Sequence, residues 1–93
     1  MLTNEQKKLL KKEASKLSAT IIIGKDGLTE NILDNVFNDL TAHEVVKINV
    51  LKTCDQDINS LALDIAGECS ANIVQVIGRV IILFKESKKH LYL

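Results

Sequence analysis

The sequence predicts an α/β domain with a small, four-stranded mixed sheet packed with three helices. Short apolar runs rich in β-branched residues, at 20–23, 45–51, 72–77 and 80–84, alternate with stretches whose apolar residues recur at helical spacing. The last two runs are separated only by Gly78-Arg79, a hairpin length, whereas each earlier run is followed by a helical stretch and must cross over. Right-handed crossovers then make the first three strands parallel and the hairpin adds one antiparallel strand. Ninety-three residues suit one domain, 1–93, with one modest core.

The first helix is announced by Thr3 and Gln6, a T-x-x-Q capping box. At 100° per residue, Leu9, Leu10, Ala14 and Leu17 share one arc, and Lys7, Lys8, Lys11, Lys12 and Lys16 take the opposite half. Several of these lysines are like-charge neighbours three or four residues apart, each pair costing roughly 0.2–0.5 kcal/mol. A merely solvated face would mix in glutamates, so an anion-binding face stands beside the solvated one as a reading. Thr20–Ile23 reads as a short buried strand. Thr29 caps a second helix with Ile32, Leu33, Val36, Phe37 and Leu40 as its buried stripe, ending near His43. Asn31, Asn35, Asn38 and Asp39 face out.

In the second strand Val46, Ile48 and Val50 share one face, and Lys47 and Asn49 the other. Asp55 or Asp57 caps a third helix, whose apolar stripe includes Ile58, Leu61, Ala62, Ile65, Ala66 and Cys69. Asn72–Ile77 and Val80–Phe84 flank Gly78-Arg79, which suits a type II′ turn with glycine first. Val80–Phe84 is apolar on both faces, so it needs cover on both sides, and the first helix can supply the second cover.

Composition narrows the function classes. A hydrophobic fraction of 46% beside 26% charged residues is globular, not disordered. No stretch resembles a signal peptide or membrane span, so a soluble, cytoplasmic protein without a membrane partner is expected. Cys54 and Cys69 have no short metal-ligand spacing and are expected as reduced thiols, Cys69 in the core. Net charge is zero, yet its distribution is uneven. Residues 1–25 carry +4, residues 26–69 carry −7 and residues 70–93 carry +3. If the two ends meet in space, the neutral protein has a basic face.

The stretch Ile21-Ile22-Ile23-Gly24-Lys25-Asp26-Gly27-Leu28-Thr29-Glu30 reads as strand, tight G-x-x-G loop, helix. Such a loop can hold a phosphate with Lys25 and with the N–H groups around Gly27 and Leu28, at the positive end of a helix. A plain strand-to-helix turn is the alternative. The G-x-x-x-x-G-K-[ST] spacing of NTPase loops is absent, and His43 and His90 sit in no nucleophile motif. No cofactor, metal, small-molecule substrate or catalysis is expected.

The element order, with Ile23-Gly24-Lys25-Asp26-Gly27-Leu28-Thr29-Glu30 early and Asn72-Ile73-Val74-Gln75-Val76-Ile77-Gly78-Arg79 late, resembles the CRM domain (chloroplast RNA splicing and ribosome maturation). The resemblance is nearest to its bacterial stand-alone form, the YhbY family, and spans nearly the whole chain. It implies an RNA-binding domain whose fold is similar to the C-terminal domain of translation initiation factor 3, with single-domain members linked to precursors of the large ribosomal subunit. The expected RNA contacts are Gly24, Lys25, Asp26, Gly27, Leu28 and Thr29 in the loop, and Lys7, Lys8, Lys11, Lys12 and Lys16 on the first helix. Arg79, Lys85, Lys88 and Lys89 would extend them. Phe37 and Phe84 are expected to be buried, which leaves little for base stacking and favours contact with the backbone and shape of structured RNA. A second reading is a module that docks a basic ribosomal or assembly protein on the acidic outer face formed by Glu30, Asp34, Asp39, Asp64 and Glu68.

Overall fold

The computed structural model describes residues 2–93. Its elements run α1 (Asn4–Ala14), β1 (Ile21–Ile23), α2 (Glu30–His43), β2 (Val45–Val50), α3 (Ile58–Cys69), β3 (Asn72–Ile77) and β4 (Val80–Phe84). The sheet order is β1-β2-β4-β3. β1 pairs parallel with β2, and β4 lies between β2 and β3, antiparallel to both. The predicted topology is therefore the observed one: three strands point one way and β4 the other.

The local signals set the element starts. The Thr3 Oγ1 accepts from the Gln6 N–H at 3.1 Å and the Gln6 Oε1 accepts from the Thr3 N–H at 2.9 Å, the reciprocal capping box. Thr29 caps α2, and Asp57 caps α3. Gly78 has φ +56° and Arg79 has no positive φ, as a type II′ hairpin requires. Ser70 takes the left-handed conformation (φ 53°) at the end of α3, where the Ala71 N–H donates to the Ala66 carbonyl at 2.8 Å.

β4 is buried on both faces. Ile81 and Leu83 join Ile23, Val36, Leu40, Ile48, Leu61 and Ile65 in the main core, under α2 and α3. Ile82 and Phe84 point the other way, into a second cluster with Leu10, Ala14, Val45 and Val74 under α1. Leu2, Tyr92 and Leu93 pack against that second cluster, so the two ends of the chain do meet in space.

Several expected burials are corrected. Helix α1 stops at Ala14 and buries only Leu10 and Ala14 fully; Leu9 and Leu17 stay exposed, since Leu17 lies beyond the helix end. Ile22 is 59% exposed because β1 is an edge strand with α2 and α3 on one face only. Phe37 is 48% exposed, at the margin of the α2 stripe. Asp39 is half-buried and accepts from the Thr20 hydroxyl at 2.9 Å.

Beyond β4 the tail is held by Glu44, a buried carboxylate that ends α2 at φ 68°. Its oxygens accept from the Ser87 N–H at 2.8 Å, the Ser87 hydroxyl and the Leu91 N–H at 3.0 Å. Its main-chain carbonyl accepts from the Lys85 N–H at 2.9 Å. Burial alone would raise the Glu44 pKa, but these hydrogen bonds to the ionised form outweigh it and leave the pKa below the ordinary 4.5. A carboxyl whose pKa is lowered by folding stabilises the fold above its unfolded value and loses that contribution as pH falls through the folded one. Glu44→Gln is accordingly expected to cost about 1–3 kcal/mol at neutral pH, by weakening charge-assisted bonds to buried donors. Urea titrations at several pH values check this: the gap between wild type and variant should close as pH drops below 4.5.

Candidate nucleic-acid interface

The parallel pairing of β1 with β2 puts the loops after both strands at the same end of the strands, the loop edge of the sheet. There the Leu51 N–H donates to the Ile23 carbonyl at 2.8 Å. Residues 24–27 form one tight turn, closed by the Gly27 N–H on the Gly24 carbonyl at 3.0 Å. Lys25 and Asp26 occupy its exposed tip. Gly27 has φ +67°, a left-handed conformation that only glycine adopts freely. Gly24 has no such need, and a Cβ there would make ordinary contacts, 3.6 Å from Leu51 and 3.9 Å from Thr53.

The cradle is already occupied from within the chain. The Leu28 N–H donates to Gln56 Oε1 at 3.0 Å, so a side-chain amide holds the position expected for an anion. The Thr29 hydroxyl accepts from the Ile32 N–H at 3.2 Å. Neither the Gly27 nor the Leu28 N–H is free, which corrects the expectation that both face a phosphate. What the loop offers outward is the Lys25 ammonium at the tip of a braced turn.

Helix α1 lies on the opposite face of the sheet from α2 and α3, with Lys8, Lys11 and Lys12 exposed and Lys7 half-buried; Lys16, expected on this helix, is exposed in the turn beyond its end at Ala14. Its C-terminal end is fixed by Lys47, whose ammonium donates to the Ala14 and Leu17 carbonyls at 3.4 and 3.1 Å. Among the described residues Lys16 and Glu13 form an ion pair at 3.5 Å, and His90 Nδ1 lies 2.9 Å from Glu86 Oε1. Lys7, Lys8, Lys11 and Lys12 therefore share one sheet face without carboxylate partners.

The remaining predicted cations divide between the two sheet edges. Because β4 runs against the other strands, Gly78-Arg79 lies at the same edge as the G-x-x-G loop. Arg79 is partly committed: its Nε and Nη2 donate to the Val50 and Leu51 carbonyls at 2.8 and 2.6 Å, tying the hairpin to the end of β2. Lys85, Lys88 and Lys89 follow β4 and leave at the far edge. Lys85 donates to the Cys69 carbonyl at 3.1 Å and sits 5.1 Å from the Phe37 ring centroid, on the acidic side of the molecule. It is thus brought to the end of α3 and not to the loop.

The acidic side is equally well defined. Glu30, Leu33, Asp34, Phe37 and Glu68 line a groove between α2 and α3, and Leu63 and Asp64 line its neighbour. Both cysteines are free and buried, and burial pushes the Cys69 thiol above its ordinary pKa. Sequence reasoning missed Gln56, Lys47 and Glu44. Each acts on residues far along the chain (Leu28, Ala14 and Ser87), so no local pattern signals its role.

Helices on both faces of a mixed sheet, with a G-x-x-G turn between β1 and α2, define the class: a small α/β domain with one lysine-rich face. The model of the CRS1/YhbY (CRM) domain matches residues 2–85. Over 90 residues the chain is 36% identical to the Bacillus subtilis protein named "Probable RNA-binding protein YqeI", covering 97% of this chain and 94% of that one. The solution structure of the hypothetical protein SAV1595 from Staphylococcus aureus superposes with a TM-score of 0.80 at 34% identity, covering 95% of this chain and 92% of the other. The rice chloroplast CRS2-associated factor 1 is 30% identical over 84 residues, which are 90% of this chain and 12% of that longer protein. The chain belongs to the CRS1/YhbY (CRM) domain family.

The two loop glycines should behave differently. In Gly27→Ala the new Cβ would lie 2.5 Å from Gln56 Oε1 at a strained φ. Gln56 must swing away and leave the Leu28 N–H without its acceptor, at a cost of about 1–3 kcal/mol. Gly24→Ala should stay within about 0.5 kcal/mol of wild type. Thermal or urea unfolding of the two variants measures the difference.

Proposed function

We propose that this chain is an RNA-binding protein that contacts structured ribosomal RNA of the large-subunit precursor and assists assembly of the large ribosomal subunit in the cytoplasm. It acts by binding and not by catalysis. The observation that carries this reading is the segregation of charge by sheet face: unpaired lysines on α1, unpaired carboxylates along α2 and α3. A neutral protein arranged this way presents a cationic surface to a polyanion while its acidic surface points away. The names of its relatives support the same class of partner.

On this reading α1 and the turn after it supply most of the affinity through Lys7, Lys8, Lys11, Lys12 and Lys16, and the loop 24–29 positions the backbone through Lys25. Arg79, bonded to the Val50 and Leu51 carbonyls, adds its remaining donors at the same edge. Lys88 and Lys89 belong to the far edge and extend the contact only for a long RNA; Lys85 contributes least, being bound to Cys69.

A second reading has one observation in its favour: Phe37 and Leu63 are 48% and 65% exposed among the carboxylates of α2 and α3. That surface suits a basic ribosomal or assembly protein. RNase treatment separates the two, since a protein-mediated association survives it.

Fluorescence anisotropy with a labelled large-subunit rRNA hairpin provides the test. Lys8→Glu/Lys12→Glu should weaken binding by at least about tenfold, and log affinity for wild type should fall with log salt at a slope of roughly −3 to −5. Lys25→Glu should weaken binding less, by about threefold to tenfold. Unchanged affinity in the double variant at moderate salt would overturn the reading.

A further inference from the structure

Helix α1 does not cover its whole face of the sheet. It packs across β2, β4 and β3 over Val45, Val74, Ile82 and Phe84. The next row toward the loop edge lies open. Ile22 pairs with Asn49, Asn49 with Val80, and Val80 with Ile77, so one cross-strand row runs through all four strands. At about 4.8 Å between strands its length is roughly 14 Å. Its ends are bare: Ile22 is 59% and Ile77 57% exposed, while Asn49 and Val80 are half-buried.

In the middle of this aliphatic floor stands the Asn49 carboxamide. The side-chain hydrogen bonds beside it run from Lys47 to Ala14 and Leu17 and from Arg79 to Val50 and Leu51, and among the described residues none reaches Asn49. A side-chain amide with a free donor and a free acceptor, set among apolar side chains, matches a ligand with a flat apolar body and polar edges. The rim of the row carries Lys25 in the turn after β1 and Arg79 in the hairpin after β3, so the ligand is attached to anions on that side.

We propose that this row is a binding site for an unpaired RNA base, with Asn49 reading the base edge and the flanking phosphates on Lys25 and Arg79. The proposal rests on the RNA-binding reading above and sharpens its substrate class. A regular duplex keeps its bases stacked inside and cannot use the row, whereas a loop, bulge or single strand can. The floor takes the place that aromatic side chains hold in other single-strand sites, and its aliphatic character fits weak discrimination between bases. An anionic partner is favoured over a protein one because Lys25 and Arg79 stand at the two ends of the rim and the row lies across the sheet from the carboxylates of α2 and α3.

The test compares a hexaribonucleotide with an abasic oligonucleotide of the same length and phosphate number, by anisotropy at low salt. Wild type should bind the base-bearing strand at least about fivefold more tightly. Ile22→Ser/Ile77→Ser should abolish that difference and leave affinity for the abasic strand unchanged; both positions are exposed, so the fold is retained. Asn49→Ala, as an independent variant, should reduce the preference and alter its dependence on base identity. Equal affinity of wild type for both strands overturns the base site while leaving the RNA-binding reading standing, as does equal loss of both strands in the variants. Failure to bind either strand or the rRNA hairpin overturns both.

Discussion

The strand β4 constrains everything else in this molecule. Ile81 and Leu83 bury into one face of the sheet, Ile82 and Phe84 into the other, and none of the four can be left in water. A strand apolar on both sides forces helices onto both faces. The crossovers place α2 and α3 on one of them, so α1 must close the other. That requirement decides where the charges go. The lysines are carried by the helix that covers one face, the carboxylates by the two that cover its reverse, and a chain of zero net charge becomes electrically two-sided. The C-terminal tail strengthens the arrangement: Glu44 gathers Ser87 and Leu91, and Tyr92 and Leu93 complete the cluster under α1.

Much of the fold was legible in the sequence because its signals are local. The Thr3–Gln6 capping box, the Thr29 cap, the alternation of Val46 to Val50 and the Gly78-Arg79 turn each depend on residues within a few positions of one another. What was misread depends on distance. Ile22 and Phe37 have the composition of buried residues, but their exposure follows from being at a sheet edge and at the margin of a helix stripe. Leu17 fits a helical arc that ends three residues earlier. Gln56 reaches Leu28 across 28 residues, and no pattern in either segment announces the bond. The direction of Lys85 follows only from β4 running against its neighbours.

The candidate site was legible in its residue types and less so in its mechanism. The turn at 24–27 is built as expected, yet Gln56 fills the place of an anion, so the loop resembles a braced support for Lys25 more than an open cradle. This shifts the weight of the proposed interface to α1. It also gives the open row from Ile22 to Ile77 a natural role between the two basic elements, with the polar Asn49 at its centre. The exposed Phe37 lies on the other side, under Lys85, and takes no part in that surface.

In the proposed interface RNA is met by the face that α1 covers. Amide chemical-shift mapping during titration with a large-subunit rRNA hairpin tests it most directly. The expected shifts are confined to α1, residues 22–28 and the Gly78-Arg79 hairpin, with the outer residues of α2 and α3 undisturbed. Shifts centred on Asp34, Phe37, Asp64 and Glu68, with α1 silent, would contradict it.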